Sequence, residues 1–160
     1  MATMEVTASG AVPAPAETTW TLLCDTSRYA EWVAGTDAVT RTDGPAAPGS
    51  TYDEVNPIAG PWKGRSRWTV TTFEAPRRQV HRGEGIAPTV SWLEVDMAVA
   101  PVGDTASEVT LTLRGESAMG PVGALMMRAL RGRLAADNRR TVQALAELAA
   151  REAQRPATSL

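Results

Sequence analysis

Apolar and polar residues alternate over much of residues 4–116, and from 121 to 152 the apolar positions instead recur every three or four residues. A period of two sends side chains to opposite faces of a strand, whereas a period near 3.6 gathers them into one stripe on a helix. Residues 4–12 read as the first strand, with Val6, Ala8, Gly10 and Val12 on one face and Pro13 at its end. Pro15 heads a helix reaching Cys24, with Trp20, Leu23 and Cys24 at helical spacing and Glu17 near the positive end of the dipole. A second short helix over 27–33, with Asp25 or Thr26 as its cap, sets Tyr29 and Trp32 on the side that points into the domain. Glycine and proline then punctuate β-like runs at 36–42, 50–56, 62–74, 78–85, 90–101 and 107–116. Short connections without a crossover helix make these an antiparallel meander and exclude a parallel α/β architecture.

The polar rows show which way each strand faces. In 62–72 the row Lys63, Arg65, Arg67, Thr69, Thr71 belongs outside, which turns Trp62, Gly64, Ser66, Trp68 and Val70 inward. Leu93, Val95, Met97 and Val99 face inward opposite Glu94 and Asp96, and Val109, Leu111 and Leu113 do so in the last strand. Burying Arg82 with Glu84 costs more than burying Gln79 with a neutral His81, so His81 is placed inside. Tyr52, Glu54 and Asn56 share a face, taken as the inner one because Asp53 is the harder burial, although the opposite register stays open. On the long helix, Met126, Met127, Leu130, Leu134, Thr141, Leu145 and Leu148 make one stripe, with Asp137 and Asn138 at its edges. A single helix about 45 Å long rarely meets a curved sheet along its whole length, so a cavity between them is expected.

The chain of 160 residues suits one domain over 1–152, followed by a flexible tail over 153–160. A net charge of -2 gives no global field for nucleic acid or membrane, and no apolar run is long enough to span a bilayer. The lone Cys24 excludes an internal disulfide, and together with the absence of a leader-like segment it points to the cytoplasm. With one histidine, no metal or other cofactor is expected.

The order of strand, two short helices, six strands and long helix resembles the helix-grip fold of the START-like, or SRPBCC, superfamily. Residues 14–20 are similar to that family's opening turn and first helix, and residues 25–32, ending in Tyr-x-x-Trp, to its second. Residues 68–78, with their Pro-Arg turn, resemble the bacterial polyketide cyclase/dehydrase branch, and 97–109 and the final helix with Asn138 and Leu145 also fit. The resemblance spans about 4–152. It implies an α+β fold in which a seven-stranded curved antiparallel sheet wraps a long C-terminal helix, with two short helices between strands 1 and 2. It also implies a deep apolar cavity for a lipid-like or polyketide-like molecule.

Two functions follow as expectations. In the first, the chain binds, carries or senses a hydrophobic or aromatic small molecule. The lining would come from Tyr29, Trp32, Trp62, Trp68, His81, Val95, Met97, Met126, Met127, Leu130 and Leu134. In the second it is a cofactor-independent cyclase/dehydratase, with His81 or Glu54 moving a proton and Tyr52 or Asn56 stabilising an enolate. Glu54 could pair with His81 across the pocket. The basic row Lys63, Arg65, Arg67 is a candidate surface for an acidic acyl-carrier protein, and a monomer or homodimer is expected.

Overall fold

The computed structural model describes residues 2–155. The elements run β1 (Thr3–Val12), α1 (Ala16–Cys24), a 3-10 turn (Thr26–Arg28) leading into α2 (Tyr29–Trp32), β2 (Ala38–Thr42), β3 (Thr51–Ala59), β4 (Trp62–Glu74), β5 (Arg78–Glu84), β6 (Val90–Val102), β7 (Ala106–Ser117) and α3 (Gly120–Gln154). The sheet order is β1-β7-β6-β5-β4-β3-β2, antiparallel throughout. The expected meander is therefore present from β2 to β7, and β1 closes it at the far edge. Because β1 and β2 sit at opposite edges, the chain between them must cross the sheet, and α1 and α2 make that crossing.

The inward rows are those the alternation indicates. Met4, Val6, Ala8 and Val12 are buried on β1, Ser66, Trp68 and Val70 on β4, Gln79 and His81 on β5, and Val109 and Leu111 on β7. Tyr52, Glu54 and Asn56 face inward on β3, which closes the register left open there. Gly83 clears space for an aromatic neighbour, since a Cβ there would lie 2.7 Å from the Trp68 ring. Asp96 departs from its expected solvent position: it is 9% exposed, because Arg78 and Arg114 fold over it at 2.8 and 3.3 Å.

The C-terminal half of α3 holds the helix to the sheet through Val142, Leu145, Leu148 and Ala149, all buried. It seats deeply on β1 because Gly10 lacks a Cβ, which would stand 2.6 Å from Val142 Cγ1. At the helix middle the Asn138 amide donates to the Leu111 carbonyl at 2.8 Å, a polar tie between α3 and β7. The N-terminal half overhangs. Met126 and Leu130, expected in the buried stripe, are 44% and 38% exposed, and Leu134 is half-buried. A 35-residue helix is about 52 Å long and outruns the surface available to cover it. The helix also runs two residues into the expected tail, to Gln154, while 156–160 lie outside the described residues. No helix among the described residues is long and apolar enough to cross a membrane.

Asn138→Ala should lower stability by about 2 kcal/mol by removing that tie from a buried carbonyl, which corresponds to a melting temperature lower by roughly 4–8 °C. Thermal unfolding followed by circular dichroism measures it, and an unchanged midpoint would remove the tie from the account of how α3 is held.

Candidate functional site

Where α3 overhangs, a cavity of about 540 Å³ opens between helix and sheet. Leu93, Val95 and Met97 of β6, with Leu111 and Leu113 of β7, form its apolar floor. Met127, Leu130 and Leu134 close it from α3, and Tyr29, Trp32, Tyr52 and Trp68 supply its aromatic wall. Tyr52 and Trp68 stack nearly parallel, their ring centres 6.4 Å apart and their planes at 7°, while Tyr29 meets Tyr52 edge-on at 5.3 Å. Flat surfaces of this kind suit an aromatic or polyene ligand.

One region of the wall is polar. Glu54, only 3% exposed, accepts a hydrogen bond from the Asn56 amide at 3.1 Å. The same amide donates to the Gly35 carbonyl at 2.8 Å, and Asn56 Oδ1 accepts from the Ser66 hydroxyl, which accepts from the Trp68 indole N–H at 2.9 Å. Next along the 33–36 loop, the Ala34 N–H donates to the Thr141 hydroxyl at 3.0 Å, and Thr141 in turn donates to the Asp137 carbonyl. Burial pushes the Glu54 carboxyl up to about 7, with Asn56 and Thr36 offsetting part of the rise. A carboxyl in that range exchanges its proton near neutrality, as an acid–base group must.

His81 takes a different position from the one expected. It is fully buried behind Tyr52 and does not line the cavity; its Nδ1 lies 2.8 Å from the Tyr52 hydroxyl. Burial pulls the imidazole down to about 3, so it stays neutral across the physiological range. The cross-pocket pair with Glu54 does not form: the imidazole meets Tyr52 through Nδ1, its Nε2 has no partner among the described residues, and the Glu54 carboxylate meets Asn56. Tyr52 lines the cavity with its ring, but its hydroxyl is turned to His81.

Trp62 and Met126 are also absent from the lining. Trp62 stands 72% exposed at the β3–β4 turn, past the point where the sheet has cover, and Met126 lies on the open side of the overhanging helix. Tyr29, Trp32, Trp68, Val95, Met97, Met127, Leu130 and Leu134 do line it. The basic row is largely answered within the chain, Lys63 by Asp37 and Arg67 by Asp53, each at 2.8 Å. Sequence reasoning did not name Ile86, Val90, Arg133 and Arg140 as wall residues. The first two come from a turn and a strand start with no periodicity to reveal them, and the arginines sit off the apolar stripe.

A family model described as polyketide cyclase / dehydrase and lipid transport matches residues 3–150. Among solved structures, the chain is similar to the Zhui aromatase/cyclase of Streptomyces sp. R1128, at 18% identity and a TM-score of 0.80 over 99% of this chain and 100% of that one. It is similar to norcoclaurine synthase of Thalictrum flavum in complex with a transition-state analogue, at 15% identity and TM-score 0.70 over 96% and 98% of the two chains. A START superfamily protein of Mycobacterium smegmatis is 19% identical, with TM-score 0.70 over 92% and 98%. At these identities the likeness is one of fold. No curated protein sequence matches the chain.

The raised Glu54 carboxyl has a thermodynamic consequence. Its contribution to stability is intact below the unfolded value of 4.5, is lost as the pH rises through about 7 and is flat above, a change on the order of 3 kcal/mol. His81 acts with the opposite sign, since its depressed value costs stability as the pH falls below 6.5. Comparing Glu54→Gln with the unsubstituted chain cancels the His81 effect. The melting-temperature difference between the two should therefore shift in favour of Gln from pH 5 to pH 7.5. A pH-independent difference would mean that Glu54 is solvated.

Proposed function

The chain belongs to the polyketide cyclase/dehydrase and lipid transport family, and we propose that it binds a hydrophobic or aromatic small molecule in the cavity between the sheet and α3. The observation that carries this reading is the cavity itself: about 540 Å³ of space between sheet and helix, walled by aromatic and aliphatic side chains with one polar region. That volume is in the range taken by drug-sized ligands, and its polar groups are few enough to orient a ligand rather than solvate it. A ligand with an apolar body and one carbonyl or hydroxyl would place that group toward Glu54, Asn56 and Thr141.

A second reading, a cofactor-independent cyclase or dehydratase, is favoured by the Glu54 carboxyl alone. In it the carboxylate removes a proton from carbon α to a carbonyl, the freed electron pair forms a bond to a second carbonyl carbon, and the carboxylic acid returns the proton to that carbonyl's oxygen, giving a hydroxyl. The carboxylate then takes a second α-proton and delivers it to this hydroxyl, which leaves as water as the C=C bond forms. Asn56 orients the carboxyl but has both amide hydrogens committed, and Tyr52 is held by His81, so neither is free to stabilise an enolate. Trp32, whose indole N–H has no partner among the described residues, is an uncommitted donor of the wall, whereas the Thr36 hydroxyl is directed to the Glu54 carboxyl. A cytoplasmic setting belongs to the same proposal.

Titration with the neutral aromatic probe N-phenyl-1-naphthylamine tests the binding reading. Saturable binding is expected, weakened at least tenfold by Leu93→Trp or by the smaller intrusion Val95→Phe, with melting curves confirming that each variant folds. Absence of saturable binding, or indifference to both substitutions, would overturn the site. For the enzyme reading, turnover of β-keto thioester mimics should fall roughly 100- to 10,000-fold in Glu54→Gln while probe binding persists. Unaltered turnover would remove Glu54 from the chemistry.

A further inference from the structure

Among the described residues, eight large apolar side chains are left exposed, and seven of them gather at one end of the molecule. Ile58 and Trp62 belong to the β3–β4 hairpin, and Met119, Val122, Leu125, Met126 and Leu130 to the start of α3. Ile58 and Leu130 are more than a third exposed and also line the cavity, so the two segments flank its mouth. The loop at 85–89 completes the rim: its Thr89 carbonyl accepts from the Ala118 N–H at 2.9 Å, and the Ile86 carbonyl and the Ile58 side chain both lie over Gly64.

The two projecting segments share one pattern. The hairpin tip at 57–62 is Pro-Ile-Ala-Gly-Pro-Trp, six exposed residues without a polar side chain, and Lys63, Arg65 and Arg67 follow it. Residues 118–127 likewise carry no polar side chain, and Arg128, Arg131 and Arg133 follow. Neither 55–73 nor 118–136 contains a carboxylate, although the whole chain has net charge -2. Arg65, Arg128 and Arg131 are exposed and make no ion pair among the described residues. Apolar tips with a collar of cations behind them match the layering of an anionic bilayer, with a hydrocarbon edge beneath phosphates. We propose that this rim docks on an anionic membrane surface, with Trp62 and the first turns of α3 inserted and the arginines against headgroups.

Other occupants fit less well. Lys63, Arg67 and Arg133 are paired with Asp37, Asp53 and Asp137, so a second copy would set the three unpaired arginines, Arg65, Arg128 and Arg131, against their own counterparts. A folded acidic protein would need hollows shaped to two separate projections, whereas a bilayer accepts them without shape complementarity. Docking would set the cavity mouth against the hydrocarbon, so an apolar ligand could pass between them without crossing water. It depends on the rim alone, so its test is separate from that of the cavity.

The full chain would be co-sedimented with phosphatidylcholine vesicles, with and without phosphatidylserine. Binding is expected to the phosphatidylserine vesicles. It should be abolished in Trp62→Ser/Leu125→Ser and weakened roughly tenfold or more in Arg128→Glu/Arg131→Glu. All four positions lie on the surface and outside the cavity wall, so probe binding and melting should stay as they are. Failure of the unsubstituted chain to bind these vesicles, or binding indifferent to both double variants, overturns the proposal. Salt-sensitive binding to polyglutamate, or a dimer dissolved by the apolar double variant, either one without vesicle binding, would overturn it by reassigning the face to an acidic protein or to a second copy.

Discussion

The attachment of α3 to the sheet along only part of its length is the constraint on which the rest depends. The tie is strongest where Val142 settles over Gly10 and where Asn138 reaches the Leu111 carbonyl. Beyond that point toward the N-terminus the helix reaches the sheet through Met127, whose methyl lies over Gly115 of β7, and the apolar sheet face between the two contacts lines the cavity. An ordinary core at this position would need large side chains on facing strands. Instead the helix presents Thr141 and Asn138 where a leucine would pack, and both spend their polar groups on fixing its position. The polar interruption of the stripe is therefore the fulcrum that defines where packing stops and cavity starts.

The same contrast between filled and unfilled interior separates the two buried titratable groups. His81 and Glu54 lie on the inner rows of β5 and β3, with β4 between them, and both are almost fully buried, yet their surroundings differ. His81 has Tyr52 between it and the cavity, and burial drives it to the neutral form without placing it within reach of a ligand. Glu54 belongs to the cavity wall, where burial raises its carboxyl into the neutral range and Asn56 holds its orientation. Burial alone marks both; only adjacency to empty space gives one of them anything to act upon. That is why the histidine, the obvious candidate by residue type, lies outside the cavity lining while the carboxylate is part of it.

Much of this was legible in the residues. Alternation assigned the strands, and the cost of burying Arg82, Glu84 or Asp53 chose the inner faces of β5 and β3 correctly. Period-two arguments work because one mistake would turn a whole row of charges inward. They carry no information on depth, however. His81 and Glu54 both face inward, and nothing in the sequence says which meets the cavity and which lies behind an aromatic ring. Trp62 shares a face with Trp68, yet the sheet has run out of cover by the time it reaches Trp62. The helical stripe likewise continues through Met126 after the surface it was to cover has ended, since periodicity describes a face and not its partner. Asp96 erred the other way, buried on an outer face by the reach of Arg78 and Arg114, whose long side chains cover a strand that has no element above it.

The overhang also explains why the chain's least protected apolar surface lies beside this cavity. A helix whose first turns lift from the sheet except at Met127 exposes its stripe on two sides, inward to the cavity through Met127 and Leu134 and outward through Val122, Leu125 and Met126. In a closed core the outward positions would be charged, as Arg128, Arg131 and Arg139 are farther along the helix. Over 118–127 the chain has no polar side chain at all, and the hairpin facing it across the mouth repeats that absence over 57–62. Solubility alone would select against both segments, because exposed tryptophan and leucine at projecting tips invite association. Of the cations that follow the segments, Arg65, Arg128 and Arg131 make no ion pair among the described residues, which disfavours pairing of the surface with itself and leaves it attractive to a negative one. The cavity and its rim thus have one origin, the length by which α3 exceeds the sheet, and the composition of the rim matches a negatively charged apolar boundary better than it matches water.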